Sequence, residues 1–163
     1  MAPNTLQEQL VKYLTDVHST EQNALEQLRT GAESVEDPQL ASVLREHLAE
    51  TEEQERLVRE RLEAYAASPS KVKDLAQKGG AMATGALAKS APDTTGKIAI
   101  QAYAFEHLEI ASYRMLRTVA QRAGDQETVL MAERILDQER AAAEKLDGLI
   151  EQVALTGVPQ EGV

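Results

Sequence analysis

The sequence predicts an all-α fold, an antiparallel four-helix bundle, and three observations carry that prediction. Ala, Leu, Glu, Gln and Arg dominate the 163 residues, and these are strong helix formers. Four long segments place apolar residues at helical spacing. The β-branched runs that mark strands are missing.

The first segment spans about residues 4–31, with an apolar row of Leu10, Leu14, Val17, Ala24 and Leu28. The second spans about 37–67 and opens on Asp37-Pro38, an N-cap followed by proline at the first helical position. Its row is Leu40, Val43, His47, Gln54, Leu57 and Arg61, flanked by Leu44, Leu48, Val58 and Leu62. The third spans about 93–122, with Asp93 as cap and a row of Ile98, Ala102, Phe105, Ser112, Leu116 and Val119. The fourth spans about 125–153 behind Gly124-Asp125, with Val129, Ala132, Leu136, Ala143, Leu146, Ile150 and Val153 in line.

The links set the topology. A few residues join segments one and two, and again three and four, which makes each pair an antiparallel hairpin. Residues 68–92 form a long connection with Pro69, Gly79-Gly80, Gly85 and Pro92, in which Val72, Leu75 and Ala76 suggest a short extra helix. Two hairpins joined by a crossover of that length give the ferritin-like topology, read here as a single domain over 1–163. The tail, 154–163, is expected to fray. The chain also repeats itself. Glu21 stands seven residues before Leu28-Arg29-Thr30, and Glu109 seven before Leu116-Arg117-Thr118. Glu50 precedes Glu55-Arg56-Leu57 as Glu139 precedes Glu144-Lys145-Leu146. A duplicated helix pair explains both matches.

Charge and composition remove several function classes. The formal charge is −10, which disfavours nucleic acid, whose phosphates need a basic footprint, and disfavours anionic membranes. One Phe and no Trp leave no platform for stacking bases. With no Cys there is no disulfide, thiolate metal site or cysteine nucleophile. No apolar run reaches the length of a membrane span, and the first residues lack a signal-peptide pattern. A soluble cytoplasmic protein is the expectation.

What remains is chemistry carried by acids. Glu21 falls between Val17 and Ala24, Glu50 between His47 and Gln54, Glu109 between Phe105 and Ser112, and Glu139 between Leu136 and Ala143. Each apolar row is thus interrupted by one glutamate at an inward position. Charged residues are almost never buried unless paired or metal-bound. The four lie at matching distances from the hairpin links, so they meet at one level of the bundle. Four anions there must take up protons or hold cations, and two divalent ions would balance them.

The outer ligands are more open. The common di-iron arrangement uses Glu-x-x-His on two helices, whereas the slots three residues after Glu50 and Glu139 hold Glu53 and Ala142. Glu106, one turn before Glu109, can take the place of a histidine. His47 pairs with Glu50 on one face and His18 with Glu21, while His107 points about 100° away from Glu106. Gln54, Tyr103 and Tyr113 are candidates to hydrogen-bond the ligands. Oxygen-rich ligation suits iron or manganese, alone or mixed.

Three stretches now carry a family resemblance: Asp16 to Gln22 in the first segment, Glu46 to Glu52 in the second, and Glu106-His107-Leu108-Glu109-Ile110-Ala111-Ser112-Tyr113 in the third. With Gln138-Glu139-Arg140 through Leu146 in the fourth, they resemble the YciF-type ferritin-like proteins over about residues 6–150. The resemblance implies a rubrerythrin-like bundle, often a homodimer, tied to bacterial stress responses. It also implies metal roles for Glu21, Glu50, Glu106, Glu109 and Glu139. His18 stands where such proteins often have an aromatic residue, and Glu53 where they often have a small one.

The expected metal ligands are therefore Glu21, Glu50, Glu106, Glu109, Glu139, His47 and Glu53. The central four, Glu21, Glu50, Glu109 and Glu139, are the catalytic candidates, with Glu50 and Glu139 bridging. The expected activity is a di-iron or iron–manganese oxidoreductase, a ferroxidase, peroxidase or catalase acting on oxygen or peroxide. The alternatives are a metal-binding protein without turnover and a metal-free structural stress protein.

Overall fold

The computed structural model describes residues 5–65 and 95–156. Among these there are five helices and no strand: α1 Leu6–Ser34, α2 Pro38–Ala64, α3 Thr95–Ala123, α4 Gln126–Asp147 and the short α5 Ile150–Thr156. The extra helix expected within 68–92, and the tail beyond 156, lie outside the described residues.

Three of the starts, those of α1, α2 and α4, have a local cause. Thr5 caps α1 with a capping box, its hydroxyl accepting from the Glu8 N–H while the Glu8 carboxylate accepts from the Thr5 N–H. The Asp37 carboxylate accepts from the Gln39 and Leu40 N–H groups ahead of Pro38. Between α3 and α4, Gly124 takes φ 74°, the left-handed conformation open to glycine. The Asp125 N–H then reaches back to the Ala120 carbonyl, which closes the end of α3, and the Asp125 side chain accepts from the Thr128 N–H to start α4. The fourth segment does not run unbroken to 153. The Gly148 and Leu149 N–H groups fold back on the Glu144 and Leu146 carbonyls, which ends α4 before α5 begins at Ile150.

The four long helices form a bundle in which α1 lies against α2 and α3, and α4 against α3 and α2. The Glu36 N–H donates to Thr95 Oγ1, so α3 begins beside the α1–α2 link. The Tyr65 hydroxyl donates to Asp125, so α2 ends beside the α3–α4 link. The end of α2 and the start of α3 are therefore at opposite ends of the bundle, and all adjacent helices run antiparallel, the ferritin-like arrangement. At Gly31 an added Cβ would stand 3.2 Å from Ile98 Cγ2. The missing side chain is what lets α1 approach α3 there.

The core is divided. One apolar cluster joins Leu10, Leu14 and Val17 to Val58, Leu62, Leu116, Ile135 and Leu136. A second joins Ala24, Leu28 and Ala32 to Leu40, Leu44, Ala99, Leu146 and Val153. Between Val17 and Ala24 on α1, and between Leu136 and Leu146 on α4, the buried residues include Glu21 and Glu139. A polar waist thus separates two apolar ends. The buried lines of α2 and α3 are rotated from the rows drawn on sequence. In α2 the line runs through Leu40, Leu44, His47, Thr51, Gln54, Val58 and Leu62, and in α3 through Ala99, Glu106, Glu109, Tyr113, Leu116 and Ala120. Val43, Leu57, Phe105 and Val119 form half-buried shoulders. No helix among the described residues is long and apolar enough to cross a membrane.

Candidate metal centre

The waist is built from all four long helices. Glu21 comes from α1, His47, Thr51 and Gln54 from α2, Glu106, Glu109 and Tyr113 from α3, and Glu139 from α4, and all are buried. Helical spacing explains how each helix supplies its groups. His47, Thr51 and Gln54 are four and three residues apart, as are Tyr113, Glu109 and Glu106, so each set shares one face. Thr51 keeps its place in the dry interior by donating its hydroxyl to the His47 carbonyl.

One ligand atom from each of His47, Glu106, Glu109 and Glu139 lies within 4.8 Å of the others, a group that could hold a metal ion. His47 Nε2 stands 3.0 Å from Glu106 Oε2 and 3.5 Å from Glu139 Oε2, close but without the alignment of a hydrogen bond. Its Nδ1 lies 3.1 Å from Glu50 Oε2. Gln54 Nε2 donates to Glu139 Oε1 at 2.5 Å and to Gln138 Oε1 at 3.4 Å. On the opposite side the Tyr113 hydroxyl donates to Glu21 Oε1.

Several buried oxygens have no aligned hydrogen-bond donor: Glu21 Oε2, Glu109 Oε1 and Oε2, and, beside the His47 imidazole, Glu106 Oε2 and Glu139 Oε2. A buried, unpaired carboxylate oxygen is costly, and a native interior keeps few of them. Here they gather at one level. Burial, against the Tyr113 hydrogen bond, pushes Glu21 up to about 8. Burial, against the neighbouring His47, pushes Glu106 up to about 7. Burial together with the charges of Glu21, Glu139 and Glu106 raises Glu109 well above the usual range. Burial would lower His47, but the Glu106 and Glu139 carboxylates override it and raise the imidazole to about 11. In the metal-free chain a protonated His47 is the counter-charge that the carboxylates find.

Seven residues were expected as ligands from sequence. Five of them, Glu21, His47, Glu106, Glu109 and Glu139, are buried at this waist. Glu50 is half-buried on its shoulder, touching it through His47. Glu53 faces away, half-buried, with its carboxylate held by the Arg56 guanidinium. His18 bonds Glu55 at 2.9 Å, and exposed His107 stacks edge-on against Tyr103. Neither Thr51 nor Gln138 was singled out from sequence. A threonine and a glutamine at polar-looking positions carry no signal there, and only the packing makes them neighbours of the waist.

The donor set suits a hard or borderline cation. Bare carboxylate oxygens with one imidazole match iron or manganese more closely than a thiolate-seeking metal. A divalent ion could meet the oxygens that no aligned hydrogen bond reaches.

The family described as a domain of unknown function, DUF892, matches residues 5–158. The chain is similar to a protein of Xanthomonas campestris pv. campestris, at 34% identity over 93% of this chain and 94% of that one, with a TM-score of 0.76. It is similar to the E. coli stress protein YciF at 24% identity over 93% and 98% of the two chains, TM-score 0.74. It shares its fold with a dodecameric thioferritin from Bacteroides fragilis at 20% identity over 92% and 89%, TM-score 0.73.

Proposed function

The chain belongs to the DUF892 family of YciF-type ferritin-like proteins, and from the waist just described we propose that it binds a pair of iron or manganese ions and uses them against oxygen or peroxide. The observation that carries this reading is the gathering of buried carboxylate oxygens without an aligned hydrogen bond on Glu21, Glu106, Glu109 and Glu139, beside the His47 imidazole. His47, Glu106, Glu109 and Glu139 would hold one ion, and Glu21 with Glu109 and Glu139 the other. Glu50, half-buried and 3.1 Å from His47 Nδ1, would be a further candidate.

Bound ferrous ions would supply two electrons, which with two protons reduce one peroxide to two waters. The chain's own residues do the rest. Gln54 fixes one oxygen of Glu139 and leaves the other to the metal. Tyr113 does the same for Glu21. The two apolar clusters above and below keep bulk water from the waist, which strengthens every charge interaction inside it. A protective role under stress, a cytoplasmic location and assembly as a homodimer complete the proposal. The description of the E. coli relative as a stress protein supports the first of these.

The test is anaerobic titration of chelator-stripped protein with ferrous ion, followed by peroxide. The expected result is two ions per chain, peroxide consumed with matching oxidation of iron, and a raised melting temperature. At free metal a thousandfold above Kd the gain is about 4 kcal/mol. Protein that takes up no metal overturns the proposal. Protein that loads metal without consuming oxygen or peroxide is a metal-binding protein without turnover.

A further inference from the structure

The outer side of α3 differs from that of the other long helices. Glu106, Glu109 and Tyr113 lie on its buried face. Its outward face runs through Ile100, Ala104, His107, Ala111 and Met115, a helical row in which all five residues are exposed. Ile100 and Met115 are large apolar side chains left 60% and 52% in water. From Ile98 to Tyr113 the only acids are Glu106 and Glu109, both buried, and there is no Lys or Arg. The internal repeat supplies a control for this row. Glu109 corresponds to Glu21, so the five positions correspond to Lys12, Asp16, Ser19, Asn23 and Gln27 on α1. The same register is polar throughout in the first hairpin and apolar but for His107 in the second. A contiguous apolar stripe on an otherwise charged molecule marks a contact surface.

Two features say what covers it. The first is that the stripe is its own complement. It reads large, small, histidine, small, large, and it is symmetric about the point between His107 and Leu108. Two such helices laid antiparallel bring Ile100 of each copy to Met115 of the other, and Ala104 of each to Ala111 of the other. That reciprocity is what a two-fold, isologous contact requires, and the alanines at the crossing let the two backbones approach closely. The second is charge. The chain carries −10 overall, and α1, α2 and α4 each expose acids, among them Glu26, Glu52 and Asp137. Among the described residues α3 exposes none. Copies that met on another long helix would bring acids together, whereas α3 on α3 does not. The antiparallel register also sets exposed Arg122 of one copy just beyond Thr95 of the other, where Glu36 stands.

We propose that the outward face of α3 is the surface on which a second copy of this chain docks, the two α3 helices running antiparallel about a two-fold axis beside His107. This rests on the homodimer reading above and assigns that dimer its face and its register. The contact covers the outer side of the helix that carries Glu106 and Glu109, so α3 is held between its own bundle and the second copy.

A charge swap across the axis tests both the face and the register. Wild-type, Ala104→Glu, Ala111→Lys and Gln27→Glu chains, each shown to fold by circular dichroism, are followed by sedimentation velocity over a wide concentration range. Both alanines are exposed and both replacements are good helix formers, so the fold is kept. Wild type sediments as a dimer. Ala104→Glu and Ala111→Lys each bury a charge without a partner, and each raises the dimer dissociation constant about tenfold or more. Gln27→Glu, which adds a carboxylate at the matching exposed position of α1, dimerises as wild type does. An equimolar mixture of Ala104→Glu and Ala111→Lys recovers the dimer, because the introduced carboxylate of one chain then meets the introduced ammonium of the other. Wild-type dimerisation by both alanine variants overturns the α3 face and leaves the homodimer reading standing. A mixture that stays as dissociated as its components overturns the antiparallel register. If the wild type is a monomer throughout, the homodimer reading falls and the α3 interface falls with it.

Discussion

The apolar ends of the bundle and its waist follow opposite physics. At the ends Leu10, Leu14, Leu116 and Ile135 on one side, and Leu40 and Leu44 on the other, are removed from water without losing a hydrogen bond. Each such leucine contributes about 1.5–3 kcal/mol. At the waist, carboxylates are removed from water and several of their oxygens gain nothing. A buried ionic group is weak evidence for stability and often costs more than an apolar replacement. The ends hold the molecule together and the waist spends some of that stability. The metal binding proposed above gives the waist a reason to bear that cost.

The comparison breaks most visibly by cutting an end. Leu14→Ala empties space in the cluster around Leu10, Leu62 and Leu136, and should lower unfolding stability by about 2–5 kcal/mol. Urea denaturation of metal-free protein reads it. At the waist the outcome should differ. The double variant Glu109→Gln/Glu139→Gln keeps the shape, removes two crowded acidic groups that burial and mutual repulsion disfavour, and should leave metal-free protein about as stable as wild type while losing bound metal. A double variant that is both less stable and still metal-loaded would refute the division of roles.

Acidity offers a third contrast. In the folded chain burial raises Glu21 to about 8 and Glu106 to about 7, and raises Glu109 well above the ordinary range. Between the ordinary carboxylate range and about pH 8 the folded state therefore binds more protons than the unfolded one. Metal-free stability falls as pH rises through that window. Asp125 has the opposite sign. Against its burial, bonds from Thr128, Tyr65 and Arg61 hold it below the usual range. Its contribution is present above the unfolded value and is lost as pH falls through that value and below. Melting of metal-free protein should rise by a few degrees from pH 8 to pH 5 and drop again on further acidification. A monotonic rise would mean that Asp125 is not the clamp at its end.

Much of this was legible before any coordinates. Glu21 and Glu139 interrupt rows so apolar, Leu10 to Leu28 and Val129 to Val153, that their inward direction followed from spacing alone. The helices α2 and α3 were harder, because their apolar residues cover a broad arc. A row through Val43 and Leu57 puts Glu50 in its centre, whereas the buried line passes through Leu44, Thr51 and Val58 and leaves Glu50 on the shoulder. Thr51 is the reason. It hides its hydroxyl on its own helix backbone, and spacing cannot tell a threonine that does so from one that faces water. Glu53 met Arg56 through ordinary helical pairing. His47 was readable as a neighbour of Glu50, but its reach to Glu106 and Glu139 depends on how three helices are rotated against one another.

Tyr113 belongs to both regions, and it gives the finest test. Its ring packs in the cluster with Leu14, Leu116 and Ile135, while its hydroxyl donates to Glu21 Oε1 at the waist. Tyr113→Phe keeps the ring and removes only the donor. Leaving Glu21 Oε1 unpaired costs about 1 kcal/mol in metal-free protein, well short of the loss at Leu14→Ala. The same change removes the bond that holds the Glu21 carboxyl down, so Glu21 keeps its proton to higher pH and competes less well for a cation. The variant should thus be nearly as stable as wild type and bind metal more weakly at neutral pH, with the deficit shrinking as pH rises. A stability loss as large as that of Leu14→Ala, with metal affinity unchanged, would assign Tyr113 to the apolar end alone.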